Sequence, residues 1–261
     1  MTRILVTNDD GVLSPGLAAL AEALSHLGTV TVVAPTRETS AVGHALTLHH
    51  PLRFDRVSES VYSLDGTPTD CVNIGIATIM EGQGLPDLVA SGINKGLNVG
   101  DDVTYSGTVA GAMEGALLGV PSIAVSLERT KAAYDFTHAA AAAAQVARRI
   151  LERGLPARTF LNVNVPVGTP KGFRVTVQAR RNHVTTVSAL KDPRGRPYYW
   201  IGEAEDSYHP HDRSDYQAVQ EGYVSVTPLQ PDLTDHSALE LLEQMELPAN
   251  RDELASKDAL R

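Results

Sequence analysis

Short apolar runs alternate with segments of helical periodicity from the N-terminus to about residue 165. The apolar runs predict five β-strands, at Ile4–Thr7, Val30–Ala34, Leu88–Ala90, Ser122–Ser126 and Phe160–Asn164. After the first of them, leucines recur three or four positions apart, which is the spacing of one helix face. Strands that are apolar throughout need helices on both faces of their sheet. The pattern therefore predicts an α/β fold with a Rossmann-like, doubly wound and mainly parallel sheet.

Three further helices are indicated by their starting residues and their apolar spacing. Asp70 is predicted as the N-cap of a helix that carries Val72 and Ile76. A second helix is predicted to begin near Ser106, and a long alanine-rich helix is predicted over residues 132–153. Because these helices alternate with the strands, they fit a series of βαβ units.

The pattern changes after about residue 175. Strands are predicted at Arg174–Gln178, Tyr198–Ile201 and Tyr223–Thr227, and a final amphipathic helix is predicted over Ala238–Met245. The stretch Glu203–Asp215 is acidic and has little apolar content to bury. This part of the chain is predicted to be an extension from the core, with a role in contacts between subunits.

These observations divide the chain into three predicted parts. A Rossmann-like core, which holds the chemistry, is predicted over residues 1–190. A C-terminal extension of β-hairpin arm and helix, used in oligomerisation, is predicted over 191–249. The charged residues 250–261 are predicted to be a disordered tail.

Composition narrows the classes of protein that fit. The formal net charge is −9, which disfavours stable binding to nucleic acid or to an anionic membrane. The single cysteine, Cys71, excludes a disulfide within the chain and a cysteine zinc cage. Neither a secretory signal nor a run long enough to span a bilayer is recognisable. We therefore expect a cytoplasmic protein.

The sharpest candidate chemistry is the carboxylate pair that follows the first strand, Asp9 and Asp10. Ligands in open α/β sheets bind outside the carboxyl ends of the strands. Two adjacent carboxylates repel each other unless a cation lies between them, and hard oxygen ligands favour Mg²⁺ or Mn²⁺ over zinc. The alternative is that Asp9 caps a turn and Asp10 faces solvent.

Two neutral oxygen donors are candidates to complete such a site. Ser40 follows the second strand, and Asn94 lies in a glycine-punctuated loop after the Leu88 strand, together with Asn98. Isolated serines and asparagines more often serve as caps and turn residues, so these roles stay open. His44 lies in the Ser40 loop and is a candidate for contact with a substrate.

A phosphate site is predicted at Ser106, Gly107 and Thr108, which lead directly into a helix. Free backbone N–H groups, two hydroxyls and the positive end of the helix dipole all favour a phosphate there. Capping of the helix by Ser106 or Thr108 explains the same residues equally well. The glycine motifs of dinucleotide-binding and P-loop proteins are absent, as is the serine elbow of the α/β-hydrolases.

The residues described above closely resemble the survival protein E (SurE) family of 5′/3′-nucleotidases. The resemblance covers nearly the whole chain, in order. Its matching segments are Ile4–Gly11, Val33–Pro35, Ser40–His44, Gly66–Val72, Ser91–Asn98, Gly100–Val109, Asn162–Pro166, Asp192–Gly195, Tyr198–Trp200 and Glu221–Pro228. The stretch His183–Lys191 is less typical of the family, which leaves substrate contacts from the arm undetermined.

The resemblance implies a metal-dependent phosphomonoesterase that hydrolyses nucleoside 5′- and 3′-monophosphates. It implies one divalent cation per subunit, Mg²⁺ or Mn²⁺, and a homodimer or homotetramer with an exchanged C-terminal arm. The metal ligands it implies are Asp9, Asp10, Ser40 and Asn94. The residues predicted to bind phosphate are Gly43, His44, Asn98, Ser106, Gly107 and Thr108. The residues predicted to be catalytic are Asp9, Asp10, Asn98 and Ser106.

Several points stay open on sequence alone. The attacking group is either water or a carboxylate of the Asp9–Asp10 pair, and His44 is the one weak candidate for the general acid. Two other functions are compatible with the same residues. One is a nucleotide-binding protein without hydrolysis, and the other is a stress-related interaction protein that works through its C-terminal arm.

Overall fold

The computed structural model describes residues 1–180, 185–203, 208–209 and 211–245. Contacts within the chain divide it into two units, Met1–Pro231 and Asp232–Arg261. The first unit contains every strand found in the described ranges. The predicted division at residue 190 stays a prediction, and the predicted tail over residues 250–261 lies outside the described residues.

Eleven strands occur in the described ranges: β1 Arg3–Thr7, β2 Thr29–Pro35, β3 Phe54–Ser58, β4 Val61–Leu64, β5 Leu88–Lys95, β6 Ser122–Leu127, β7 Phe160–Val165, β8 Phe173–Val175, β9 Thr185–Lys191, β10 Pro197–Glu203 and β11 Val224–Leu229. The α-helices there are α1 Pro15–Ser25, α2 Pro68–Ile74, α3 Gly107–Leu117, α4 Thr137–Arg153, α5 Asp215–Gln220 and α6 Leu239–Glu243. None of them has the length and apolar character that a bilayer-spanning helix needs.

Nine strands form one sheet in the order β3-β4-β2-β1-β5-β6-β7-β11-β8. The six strands from β4 to β7 run parallel. At the edges of this group, β3 pairs antiparallel with β4 and β11 pairs antiparallel with β7, while β8 pairs parallel with β11. The predicted α/β fold with a mainly parallel sheet is confirmed, and all five predicted strands lie in it. The chain passes from β1 to β2 on one side and later returns to place β5 on the other. Ligands of doubly wound folds bind at such a reversal.

Helices cover both faces of the sheet because successive strand residues point to opposite sides. On one face, Ile4 and Val6 of β1 pack in a core cluster with apolar residues of α1 and α4. On the other face, Leu5 packs with Cys71 and Val72 of α2, and α3 packs beside α2. The buried thiol of Cys71 has its pKa raised by burial, which keeps it an inert core residue.

Two helices begin at residues other than the predicted ones. Thr67, and not Asp70, is the N-cap of α2; Asp70 is the third helical residue and completes a capping box with Thr67. The alanine-rich helix α4 begins at Thr137 instead of residue 132. Asp135 accepts a hydrogen bond from the Thr137 backbone N–H, so this aspartate satisfies one of the donors at the helix start.

Strands β9 and β10 form a hairpin arm, an antiparallel pair separate from the main sheet. β10 contains the strand predicted at Tyr198–Ile201, whereas β9 was not predicted as a strand and begins before residue 191. Its turn is closed by Asp192, whose carboxylate accepts the backbone N–H groups of Arg194 and Arg196. Large apolar side chains of the arm are exposed, among them Val187, Leu190, Tyr199, Trp200 and Ile201. The strand predicted at Tyr223–Thr227 was expected in the C-terminal extension. It corresponds to β11, which belongs to the main sheet, between β7 and β8.

Helix α3 packs closely against the sheet through three glycines spaced four residues apart, Gly107, Gly111 and Gly115. A Cβ atom at Gly111 would lie 2.9 Å from Ser91 Oγ, which no ordinary contact allows. A Cβ atom at Gly115 would overlap Ser122 Oγ and lie 2.8 Å from Val89 Cβ. The glycines therefore set how closely the helix approaches the strands.

We expect Gly115→Ala to lower the free energy of unfolding by about 1–3 kcal/mol, the usual cost of overpacking. The added methyl group has no space between α3 and β5, although alanine is otherwise the better helix former. Urea denaturation of the two proteins measures the difference. Unchanged or increased stability of the variant would contradict this packing.

Candidate active site

Asp9 lies at the carboxyl end of β1, against the start of α3. Its side chain is buried, with the residue 6% exposed, and its Oδ1 accepts a 2.5 Å hydrogen bond from Thr108 Oγ1. This close approach is possible because residue 107 is a glycine. A Cβ atom there would lie only 2.8 Å from Asp9 Cβ. The backbone carbonyl of Asp9 accepts from the Thr39 N–H at 2.8 Å. The structure therefore brings together the start of α3, the end of β1 and the loop after β2.

The surroundings of Asp9 and Asp10 compensate the negative charges of these two carboxyl groups poorly. Burial raises the pKa of Asp9, a hydrogen bond from Thr108 opposes this shift, and repulsion by Asp10 adds to it. Burial also raises the pKa of Asp10, against the attraction of Lys95 and together with repulsion by Glu38. A cation between the two carboxylates would favour their charged forms.

The donor atoms around the pair fit a hard divalent cation. Asn94 lies in β5, the strand next to β1, and its Nδ2 donates to the Gly96 carbonyl at 2.9 Å. The Asn94 carbonyl oxygen can then serve as a ligand. Within the described ranges, no cluster of three or more His, Cys, Asp or Glu residues could hold a metal. A cation here would therefore need neutral oxygen ligands besides the two carboxylates.

The neutral ligand predicted at Ser40 has a different partner in this structure. Its hydroxyl donates to Glu38 Oε1 at 2.5 Å, and the residue is exposed. A hydroxyl that donates to a carboxylate still has lone pairs that can bind a cation. Ser40 as a metal ligand stays a prediction, and Glu38, one of the charges that act on Asp10, is a neighbour that sequence reasoning missed.

The predicted phosphate residues lie at the N-terminus of α3. Ser106 is the N-cap, which was the alternative to its predicted phosphate role, and its Oγ accepts from the Val109 N–H at 3.0 Å. Gly107 and Thr108 are in the first turn, where backbone N–H groups have no partner inside the helix. The Thr108 hydroxyl instead donates to Asp9. The side chain of Thr108 therefore orients Asp9, and the binding of phosphate by the backbone at the start of α3 stays a prediction.

Asn98 is part of a buried polar network and is only 7% exposed. Its Nδ2 donates to Ser126 Oγ at 2.8 Å, and its backbone N–H donates to Asn164 Oδ1 at 2.8 Å. The amide groups of Asn162 and Asn164 in turn donate to the Asn98 carbonyl. The ends of β6 and β7 therefore fix the loop that follows β5. The binding of phosphate by Asn98 stays a prediction.

The predicted residues of the loop after β2 contact α3 and the residue that precedes its N-cap. Gly43 has φ of +59°, and its N–H donates to the Tyr105 carbonyl at 3.0 Å. His44 Nε2 lies 2.6 Å from Glu114 Oε2, and Asn73 Nδ2 donates to Glu114 Oε1 at 2.7 Å. Glu114 is a buried helix residue that sequence reasoning missed. It joins the loop, α2 and α3 on one face of the sheet.

The variant Glu114→Gln tests this junction, because its stability relative to wild type should depend on pH. Burial alone would raise the pKa of Glu114, but the hydrogen bonds from His44 and Asn73 outweigh it and lower the pKa below its ordinary value of 4.5. A lowered carboxyl pKa contributes stability above the ordinary value, and that stability is lost as pH falls through the folded-state pKa. We expect the variant to be less stable than wild type by about 1–2 kcal/mol at pH 7, with a smaller difference below pH 4.5.

Urea denaturation between pH 7 and pH 4 gives the measurement, with Glu152→Gln as the control. Glu152 is a glutamate of α4 that pairs with Arg149 on the surface, so its neutralisation should matter little at any pH. A difference between Glu114→Gln and wild type that stays constant across this range would contradict a charged Glu114 at the junction.

Comparison with known proteins assigns the chain to a family. Residues 4–185 match the sequence model of a family described as survival protein SurE. A protein named 5′-nucleotidase SurE from Geobacter sulfurreducens is 53% identical over 257 residues, covering 96% of each chain. A protein of the same name from Syntrophotalea carbinolica is 53% identical over 250 residues, covering 95% of this chain and 99% of its own length.

A solved structure has the same fold. The crystal structure of the SurE protein from Aquifex aeolicus superposes with a TM-score of 0.83 at 46% sequence identity. The alignment covers 94% of this chain and 99% of the Aquifex chain. By its family match, by its relatives and by its fold, this chain belongs to the SurE family.

Proposed function

We propose that this chain is a metal-dependent phosphomonoesterase that hydrolyses nucleoside monophosphates to nucleoside and phosphate. The observation that carries the proposal is the contact between Asp9 and the N-terminus of α3, made through Thr108 and Gly107. It sets a carboxylate pair suited to a cation beside backbone donors suited to a phosphate. The name 5′-nucleotidase, which the Geobacter and Syntrophotalea relatives carry, supports the same reaction.

In the proposed mechanism, one divalent cation would be held by Asp9, Asp10, Asn94 and Ser40, and it would supply Lewis-acid activation of the phosphate. The backbone N–H groups at the start of α3 bind the phosphate oxygens and stabilise the charge that develops on them. Thr108 keeps Asp9 oriented through its hydroxyl.

Water is the proposed attacking group, because Asp9 is buried and one of its oxygens is already engaged by Thr108. Asn98 is proposed to orient the phosphate from its rigid loop, and Gly43 lets the second loop approach it. His44 is the proposed proton donor to the leaving oxygen. Glu114 binds its Nε2, so Nδ1 is the nitrogen that remains for this role.

Further properties of the protein are proposed. Mg²⁺ and Mn²⁺ are the proposed cations, because the donor set consists of oxygen atoms. A homodimer or homotetramer is proposed from the exposed apolar side chains of the β9–β10 arm, including Trp200 and Ile201. Hydrolysis of both 5′- and 3′-monophosphates, and a cytoplasmic location, stay predictions.

Phosphate release from a panel of nucleoside 5′- and 3′-monophosphates tests the proposed reaction. Each nucleotide is incubated with the protein in EDTA, in Mg²⁺ and in Mn²⁺. We expect release with at least one of the two metals and none in EDTA. Binding of nucleotides without release under any condition would contradict the proposal and favour a nucleotide-binding protein.

A further inference from the structure

A cavity of about 350 Å³ opens at the carboxyl ends of β2 and β4. Residues that line it include Arg37, Thr39, Thr47, His50, Asp65 and Thr67. Its volume lies within the range of roughly 300–1,000 Å³ that is usual for small-molecule sites. The proposed mechanism uses none of these six side chains, so the role of the cavity is unassigned.

The cavity lies on the same edge of the sheet as the Asp9 site. Strands β4, β2, β1 and β5 are neighbours and run parallel, so their carboxyl ends open on one side. Thr39, in the cavity wall, donates its backbone N–H to the Asp9 carbonyl at 2.8 Å. A ligand with its phosphate near Asp9 can therefore extend past Thr39 into the cavity.

Hydrogen bonds to Asp70 and to the Ala45 carbonyl hold one wall of the cavity in place. Thr47 donates its backbone N–H and its hydroxyl to the two oxygens of Asp70, at 2.9 and 2.6 Å. Asp70 is 2% exposed and is fixed at the start of α2. Thr67 donates its hydroxyl to the Ala45 carbonyl at 2.7 Å. The loop that follows β2 is thus tied to the start of α2, and the two segments together form one wall of the cavity.

The chemistry of the lining suits a nucleoside. Arg37 and His50 are exposed side chains with planar, delocalised groups, and such groups stack on nucleobases. Asp65 accepts the Arg53 N–H through one carboxylate oxygen, which leaves the other to accept from a sugar hydroxyl. Hydroxyls of Thr36 and Thr39 add further polar partners.

We propose that this cavity binds the nucleoside part of the substrate, with Arg37 and His50 contacting the base. The proposal rests on the proposed nucleotidase function and adds to it a basis for selectivity. The Asp9 site alone recognises a phosphate ester, whereas the cavity distinguishes a nucleotide from a phosphate ester without a base.

The test compares two substrates, AMP and glycerol 2-phosphate, which has no base. For each protein, the ratio of kcat/KM for AMP to kcat/KM for glycerol 2-phosphate is measured in saturating metal. We expect this ratio to fall by roughly tenfold or more in the double variant Arg37→Ala/His50→Ala, the size of effect that loss of base stacking produces. Arg56→Ala is the matched control. Arg56 is an exposed arginine of β3 whose side chain bonds the carbonyls of Ser58 and Glu59, and its variant should keep the wild-type ratio.

The possible outcomes distinguish a failure of this inference from a failure of the proposed function. An unchanged ratio in the double variant, with AMP still hydrolysed, would overturn the role of the cavity and leave the nucleotidase activity standing. An equal loss on both substrates would also overturn it, because it would indicate damage to the phosphate site. Wild-type protein that cleaves glycerol 2-phosphate but not AMP would contradict the proposed function itself, and the role of the cavity with it.

Discussion

Asp9→Asn is expected to reduce phosphate release from AMP by roughly a hundredfold or more, since stabilisation of transition-state charge by a bound cation is worth several kcal/mol. The amide can still accept the hydrogen bond from Thr108, so the start of α3 should keep its place. What the variant loses is the negative charge that binds the cation. Metal affinity and turnover should therefore fall together.

The stability of the metal-stripped protein provides a second observable for the same variant. Asp9 is buried beside Asp10, and its neutralisation removes a repulsion between the two carboxylates. We expect the melting temperature of metal-stripped Asp9→Asn to equal or exceed that of the metal-stripped wild type. Asp55→Asn, a change at an exposed aspartate of β3, is the control and should keep full activity. Full activity of Asp9→Asn at saturating metal would contradict the role of Asp9.

Gly107→Ala is expected to lower turnover on the order of a hundredfold, the cost of moving catalytic groups by about 1 Å. The new methyl carbon would lie 2.8 Å from Asp9 Cβ and 3.0 Å from Asp9 Oδ2. Either α3 or the carboxylate must shift, and both changes separate the helix N-terminus from Asp9. The measurement is kcat for AMP at saturating Mn²⁺.

Gly115→Ala is the matched control for this effect. It adds the same methyl group on the same face of α3, two turns away from Asp9 and against Ser122 and Val89. It should lose stability while kcat at a temperature where it remains folded changes much less than in Gly107→Ala. Similar losses of kcat in both variants would indicate a general displacement of the helix, and would contradict a specific contact between Gly107 and Asp9.

The sequence was informative about the fold where local pattern determines the element. The core strands are apolar because both faces of the sheet are covered, so they stand out without knowledge of their partners. Strands β3, β4 and β9 were missed. All residues of β3 are exposed, and it is a strand only because it pairs antiparallel with β4 at the edge of the sheet. Pairing with a distant segment leaves little local signal.

The site residues, too, were predictable only where the local sequence identifies them. Asp9 and Ser106 were found because a strand end and a helix start carry recognisable polar residues. Glu114 and Ser126 were missed because a glutamate inside a helix, or a serine inside a strand, resembles an ordinary surface or edge residue. Both are buried by contacts with distant segments, Glu114 with His44 and Asn73 and Ser126 with Asn98, which only the three-dimensional packing reveals.

Phosphate release from AMP by metal-stripped protein, titrated with Mn²⁺, is the most direct test of a metal-dependent nucleotidase site at Asp9 and Asp10. We expect no release before metal is added, and a rise in rate that saturates at one Mn²⁺ per chain. The same titration of Asp9→Asn should stay near the baseline. Undiminished release in EDTA, or equal rates for the two proteins at every metal concentration, would contradict the proposed site.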